Sequence, residues 1–278
     1  MMERVSMKIY ISVDIEGVAG VVDRSHGSLT GGAEYDLGRR LMTLETNAAI
    51  EGAMEAGATE IVVNDSHGPM INLLPEMLHP KATLIQGRLK HLFMVEGLDD
   101  SFDGMFLVGY HASAGIRDGV LNHAFHPYEL RYNGTVWSET GLNASVAGYY
   151  GVPVALVTGD DAAIRDAEAI LPPHVGVSVK RGITRLSGES LHPEVARERI
   201  KAAARSAIEQ LSGRKPLQLE TPLTVDIDFY HSIEADASSM MPTVERTGDR
   251  SIRYVAPDAL QAYRTFLASY YLTRAVTA

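Results

Sequence analysis

The 278-residue chain contains no cysteine, and that absence removes disulfide bonds, thiolate metal sites and cysteine nucleophiles together. Metal binding would have to rest on histidine and carboxylate ligands. Basic residues are also in short supply: 25 Lys and Arg against 35 Asp and Glu leave a formal charge of -10. Such a surface gives a phosphate backbone nothing to condense on, which argues against nucleic acid as a partner. No apolar run approaches the ~20 residues of a membrane span. Met1 to Ser6 has neither the apolar stretch nor the small-residue cleavage site of a signal peptide. No membrane partner is expected, and a cytoplasmic location fits a chain free of disulfides. Also missing are a Gly-x-Ser-x-Gly elbow, a Walker phosphate loop and a His-Glu-x-x-His helix, so serine hydrolase, phosphate-loop and zincin readings lack their anchors.

What is present is an ordinary globular composition, 45% hydrophobic and 22% charged, long enough for one large or two modest domains. Strand-like and helix-like runs alternate from the start, the pattern of a mainly parallel sheet flanked by helices, an α/β fold. Strands are expected at Lys8 to Asp14, Ile61 to Asn64, Ala82 to Gln86, Met105 to Tyr110 and Val152 to Thr158. Helices are expected at Ala33 to Ala56, with a stripe of Leu37, Leu41, Leu44 and Ala48, and at Glu139 to Tyr150, Asp161 to Leu171 and Pro193 to Leu211. Asn133-Gly134 marks an inserted antiparallel hairpin. Ser212 to Pro216 reads as a linker, followed by an alternating strand from Leu223 to Phe229. A last helix carries Pro257 in its first turn and a stripe of Leu260, Tyr263, Leu267 and Tyr270. The expected organisation is a catalytic α/β domain over 1–212 and a C-terminal α+β subdomain over 213–278.

Chemistry-bearing residues recur where strands end. Asp14 and Glu16 stand two apart in Val13-Asp14-Ile15-Glu16-Gly17, a spacing that turns both toward one side of a strand. His67 follows the second strand in Asn64-Asp65-Ser66-His67-Gly68, and His111 follows another in Gly109-Tyr110-His111-Ala112. A single histidine of this kind is more often structural than a ligand. Three strand ends delivering Asp, Glu, His and His to one edge point instead to a metal, because open α/β sheets bind ligands at their carboxyl ends. Imidazole and oxygen ligands without sulfur suit zinc, and manganese or cobalt could substitute. Glu139 lies where the hairpin gives way to a helix; the helix dipole alone would favour a carboxylate there. His123, on a connection after His111, could act as acid, base, nucleophile or oxyanion stabiliser. Asp160-Asp161 reads as a helix cap. His26, His79, His91, His126, His174, His192 and His231 read as surface or loop residues.

The ordered set Ser12 to Gly17, Val63 to His67, Met94 to Asp99, Gly109 to Ala112 and Glu139-x-Gly141-Leu142-Asn143-Ala144 resembles the zinc-dependent D-aminopeptidases of the bacterial dipeptide-transport operon. The likeness extends to Val146 to Tyr150 and Gly159 to Asp161, and so over essentially the whole chain. It implies a binuclear zinc centre, two Zn2+ per chain. Asp14 would bridge the ions, Glu16 and His67 would complete one site, and His111 and Glu139 the other. His123 would match the family's catalytic histidine, proposed there as a nucleophile. The resemblance further implies a ring-shaped homo-oligomer, a decamer, and release of N-terminal D-amino acids from short peptides such as D-Ala-D-Ala. The chain departs from the family pattern in its residues before Met7, in a longer loop between His111 and His123, and over Phe125 to Arg131. Two rival readings remain at this level. A binuclear phosphoesterase would need basic groups such as Arg24, Arg88 or Arg117, and a non-catalytic metal- or ligand-binding α/β protein would need no chemistry at all.

Overall fold

The computed structural model describes residues 6–277; Met1–Val5 and Ala278 lie outside the described residues, and with them most of the segment read against a signal peptide. In chain order the elements are β1 (Lys8–Val13), α1 (Ala33–Glu55), β2 (Glu60–Asp65), β3 (Ala82–Ile85), β4 (Gly104–Tyr110), β5 (Glu129–Tyr132), β6 (Thr135–Val136), α2 (Glu139–Tyr149), β7 (Val154–Asp160) and α3 (Asp161–Ile170). They continue as β8 (Val175–Thr184), β9 (Ser187–Ser190), α4 (Pro193–Glu209), β10 (Leu223–Asp228), α5 (Ser232–Ser238), β11 (Glu245–Arg246), β12 (Ser251–Ala256) and α6 (Ala259–Thr277).

Two sheets organise these elements. The larger runs β3-β2-β1-β4-β7-β8-β9, parallel throughout except where β9 folds back on β8. Its central strands β4 and β7 are buried along their whole length, in keeping with their largely apolar sequences when both faces are covered. Alternation along β1 divides the core: Ile9 and Ile11 pack with α1 and α4 on one face, and Tyr10 joins α2, α6 and the second sheet on the other. The smaller, antiparallel sheet runs β11-β12-β10-β5-β6. The expected hairpin at Asn133-Gly134 therefore forms, and β10 pairs directly with β5.

The stripe expected on α1 holds at Ala48, which is buried, and at Leu41, which packs against the core, but fails at its start. Leu37 is exposed, while Tyr35, Met42, Ala49 and Ala53 are buried. Small residues decide this: Ala49 and Ala53 lie in one cluster with Ala203, Ala204 and Ala207 of α4, where short side chains let two helices approach closely. On α6 the expected stripe holds, with Leu260, Tyr263 and Leu267 buried. Pro257 falls ahead of that helix, and Asp258 Oδ1 accepts from Gln261 N in the capping position. Among the described residues no helix is long and apolar enough to cross a membrane.

Candidate metal centre

In the larger sheet the chain runs outward from β1 through β2 to β3, then returns to β4 on the other side of β1. Loops leaving β1 and β4 consequently diverge, and a crevice opens at their carboxyl ends, the position where open α/β sheets take ligands. Asp14, Glu16, His67 and His111 all lie just past β1, β2 and β4, and Glu139 opens α2. β1 ends at Val13, so strand alternation is not what brings Asp14 and Glu16 together. A tight turn does so instead, pinned to β4 by Asp14 N donating to Val108 O at 2.8 Å and Gly17 N donating to Gly109 O at 2.8 Å. Contact this close demands glycine on both sides. A Cβ on Gly17 would stand 2.1 Å from Tyr110 O, and one on Gly109, whose φ is +73°, would stand 2.3 Å from Asp14 O.

The carboxylates and imidazoles interleave. His67 Nδ1 lies 3.1 Å from Asp14 Oδ1 and 3.0 Å from Glu16 Oε2. On the other side His111 Nε2 lies 3.6 Å from Asp14 Oδ2 and 3.6 Å from Glu139 Oε1, with His123 Nε2 3.5 Å from the same Glu139 oxygen. His123 stacks on His111 with ring centroids 4.1 Å apart. The six residues expected from sequence thus converge on one spot, Asp14 between the two groups.

Each imidazole has one nitrogen committed to a main-chain carbonyl, which can only accept, so that nitrogen carries the proton. His67 Nε2 donates to Gly27 O at 2.8 Å, His111 Nδ1 to Ala112 O at 2.9 Å and His123 Nδ1 to Leu121 O at 3.0 Å. The opposite nitrogen of each faces the carboxylates, so loss of its proton to a bound metal would leave the tautomer a ligand needs. Asp14 Oδ2 and His111 Nε2 are buried and lack any hydrogen-bond partner, and buried Glu16 Oε2 has only the His67 ring beside it. Buried polar atoms left unpaired are costly, and a shared cation would satisfy all of them. His111 with His123 and Glu139, and Asp14 with Glu16 and His111, each gather donor atoms within 4.8 Å.

Electrostatics in the metal-free protein follow from this crowding. Burial, reinforced by Glu16, pushes the Asp14 carboxyl up to about 8. Burial would raise Glu16 as well, but His67 overrides it and holds Glu16 well below the usual carboxylate range. His111 is pulled down by burial yet raised to about 10 by Glu139 and Asp14, and His67 is likewise held high by Glu16 and Asp14. Burial and the neighbouring His111 lower His123, leaving it neutral.

Several supports escaped the sequence reading. Lys180 of β8 is buried, and its ammonium donates to the carbonyls of Glu16, Val18 and Val21, the last two at 2.9 and 2.6 Å. It thereby closes the turn that carries Glu16. Lys90 does the same for the β2 end, donating to Asn64 Oδ1 at 2.7 Å and Asp65 O at 2.6 Å. Burial lowers each ammonium to about 8. Beneath the centre Ser12 Oγ bonds Ser66 Oγ at 2.7 Å and Tyr110 OH at 2.6 Å, and Asn143 Nδ2 donates to Tyr110 OH at 2.8 Å. The network accounts for the polar residues between the motif ligands. The signal for Lys180 was its place one residue past Val179 in a Val-rich strand, a run left unassigned. Asp160 is a cap as expected, accepting from Ala163 N at 2.7 Å, and it also takes Val120 N at 2.6 Å. Two histidines read as surface residues are not free: His26 is buried, and His126 lies 2.5 Å from the buried Glu234 of α5.

The centre opens into a cleft of about 470 Å³ lined by Glu16, His67 and His123 together with Arg24, His126 and Arg185. Comparisons with known proteins point to one group. A curated relative, a D-aminopeptidase of Bacillus subtilis (strain 168), is 40% identical over 264 residues, covering 94% of this chain and 96% of its own. A solved structure described as the Zn-dependent D-aminopeptidase DppA from Bacillus subtilis, a self-compartmentalizing protease, superposes with a TM-score of 0.93 at 38% identity, covering 98% of this chain and 100% of that one. The model of the Peptidase_M55 family, D-aminopeptidase, matches residues 7–268. On the strength of that match and of the 40%-identical relative, the chain belongs to the Peptidase_M55 family of D-aminopeptidases.

Proposed function

We propose that the protein is a binuclear zinc aminopeptidase that removes an N-terminal D-residue from short peptides. Family membership gives the enzyme class, a zinc metallopeptidase that hydrolyses amide bonds. The observation that carries the two-ion reading is Asp14, whose two oxygens face separate groups: His67 with Glu16 on one side, His111 with Glu139 on the other. Asp14 would bridge, Glu16 and His67 would hold one ion, and His111 and Glu139 the other. Bound zinc supplies a Lewis acid for the scissile carbonyl and lowers the pKa of water toward neutrality. His123 is the residue left to move protons. Its neutral Nε2 accepts a proton from the attacking water and returns it to the leaving amine, while the Leu121 carbonyl fixes the ring. Carboxylates around the centre suit a free substrate amine, which favours exopeptidase over endopeptidase action. The reading includes a cytoplasmic enzyme assembled as a closed ring of ten chains, supported by the self-compartmentalizing relative.

The deciding experiment is a panel of D- and L-configured dipeptides, their N-acetylated forms and a phosphoester, assayed with zinc. D-dipeptides should be cleaved fastest and N-acetylation should abolish turnover. Faster cleavage of L-peptides would remove the D-label, and phosphoester hydrolysis alone would overturn the peptidase reading.

The proton load of the centre gives a second expected outcome. In metal-free protein Asp14 keeps its proton up to about pH 8 and His111 to about pH 10, against ordinary values of 3.8 and 6.5. Up to about pH 8 the native state therefore binds more protons than the unfolded chain, and its stability falls as pH rises from 6.5 to about 8; above that, Lys90 and Lys180, lowered to about 8, oppose the His111 contribution. With zinc bound those protons are already displaced, so the loss should shrink. Thermal unfolding across this range, with chelator and with zinc, checks the sign. Chelated protein that gains stability on the way up contradicts it.

A further inference from the structure

Two guanidinium groups in the cleft have no assigned work. Arg24 and Arg185 line it alongside Glu16, His67 and His123. Among the described residues Arg24 makes no side-chain hydrogen bond or ion pair. The Arg185 side chain makes one hydrogen bond, from Nε to Asn122 O at 3.1 Å. Asp23, the acidic neighbour of Arg24, is occupied as a cap, accepting from Ser25 N at 2.9 Å and Ser25 Oγ at 2.7 Å. Guanidinium stays charged at any physiological pH, and its paired N–H groups match a carboxylate. In a chain with 35 acidic and 25 basic residues, two such cations lining the cleft of the reactive groups without carboxylate partners are available to an anionic ligand.

We propose that Arg24 and Arg185 bind the C-terminal carboxylate of the substrate, so that the enzyme selects dipeptides and other very short peptides. This rests on the peptidase reading above and names its substrate class. A peptide offers the cleft a cation at one end and an anion at the other; the acidic centre takes the amine and the guanidinium pair takes the carboxylate. In a dipeptide one amide lies between those two ends, which puts the bond to be cut at the centre. The cleft, about 470 Å³, is of small-ligand size. Both arginines also sit on segments that grip a site histidine. Arg24 opens the turn Arg24–Gly27, whose last carbonyl accepts from His67 Nε2 at 2.8 Å. Arg185 O accepts from Leu121 N at 2.8 Å, and its Nε holds Asn122, so it braces the segment that bears His123. Carboxylate binding thus orders the cleft around the catalytic groups.

The test compares a D-dipeptide with its C-terminal amide, using zinc-loaded wild type, Arg24→Met and the Arg24→Met/Arg185→Met double variant. Wild type should favour the free acid by on the order of 10- to 100-fold in kcat/KM, the range for a charge-assisted pair. In the double variant that preference should collapse, mostly through KM. The single Arg24→Met variant leaves the Arg185 bond to Asn122 intact and should lose part of the preference, which separates carboxylate binding from damage to the His123 segment. Equal treatment of acid and amide by wild type, or a preference that survives in the double variant, overturns the proposal. Calorimetric binding of the same two peptides, with His123→Ala added to each protein to suppress hydrolysis, provides a readout that does not depend on turnover. The acid should bind the double variant more weakly than wild type by the same factor, and equal binding overturns the proposal. Absence of hydrolysis with either peptide would sink the aminopeptidase reading, while the binding arm would still decide the carboxylate site. Tight competition by inorganic phosphate that vanishes in the double variant, without any acid preference, would overturn it in favour of a phosphoester ligand.

Discussion

Asp14→Ala, purified without chelator, should carry almost none of the metal that wild type carries, and its peptidase rate should fall by on the order of 10³-fold or more. Asp14 is 1% exposed, with one oxygen toward His67 and the other toward His111, which also faces Glu139. Removing it takes a ligand from both proposed ions at once. Adjacent cations without a shared anion also repel each other, so neither site should persist. Loss of metal-assisted polarisation is worth several kcal/mol, which sets the scale of the rate loss. His67→Ala and His111→Ala should each weaken one site more than the other, since each imidazole faces a different Asp14 oxygen. Metal analysis of the three variants, with circular dichroism to confirm folding, makes the comparison. A full metal complement in folded Asp14→Ala would show that the bridge is assigned wrongly.

His123→Ala should keep its metal and its fold yet lose on the order of 10² to 10⁴ in kcat, the usual contribution of a general acid or base. The ring has Nδ1 tied to Leu121 O and Nε2 3.5 Å from Glu139 Oε1. The same position lies within ligand reach of His111 and Glu139, so the variant separates two roles. A proton shuttle lowers kcat and leaves KM and metal content alone, because it acts in the transition state only. A ligand takes metal with it. A covalent nucleophile would leave no activity in His123→Gln and a trappable acyl-enzyme in wild type, whereas an oxyanion stabiliser would leave His123→Gln partly active. Near wild-type turnover in His123→Ala would return the ring to a packing role against His111.

Local physics made much of this molecule readable. Buried parallel strands favour largely apolar runs, and β4 and β7 carry them; Asn133-Gly134 needs a hairpin and makes one. The strand-end motifs were legible for the same reason, since a parallel sheet sends every carboxyl end to one edge. What stayed hidden depends on partners distant in sequence. The buried face of α1 centres on small residues that meet alanines of α4, so the leucine stripe located it only in part. Lys180 becomes a clamp only because β8 lies where its ammonium reaches the turn after β1. His126 acquires Glu234, and β5 acquires β10, across more than half the chain's remaining elements.

By itself the sequence determined the ligand chemistry, because a chain without cysteine and with Asp14, Glu16, His67 and His111 at strand ends has only oxygen and imidazole to offer. Tertiary structure decided which atom of each residue faces the centre. The carbonyls of Gly27, Ala112 and Leu121 take one nitrogen of His67, His111 and His123 and free the other, and two glycines let the β1 turn touch β4. It also decided that Arg24 and Arg185 share a cleft with them. Spacing along a chain specifies which groups are available; only packing fixes distance and direction, and coordination and proton transfer depend on both.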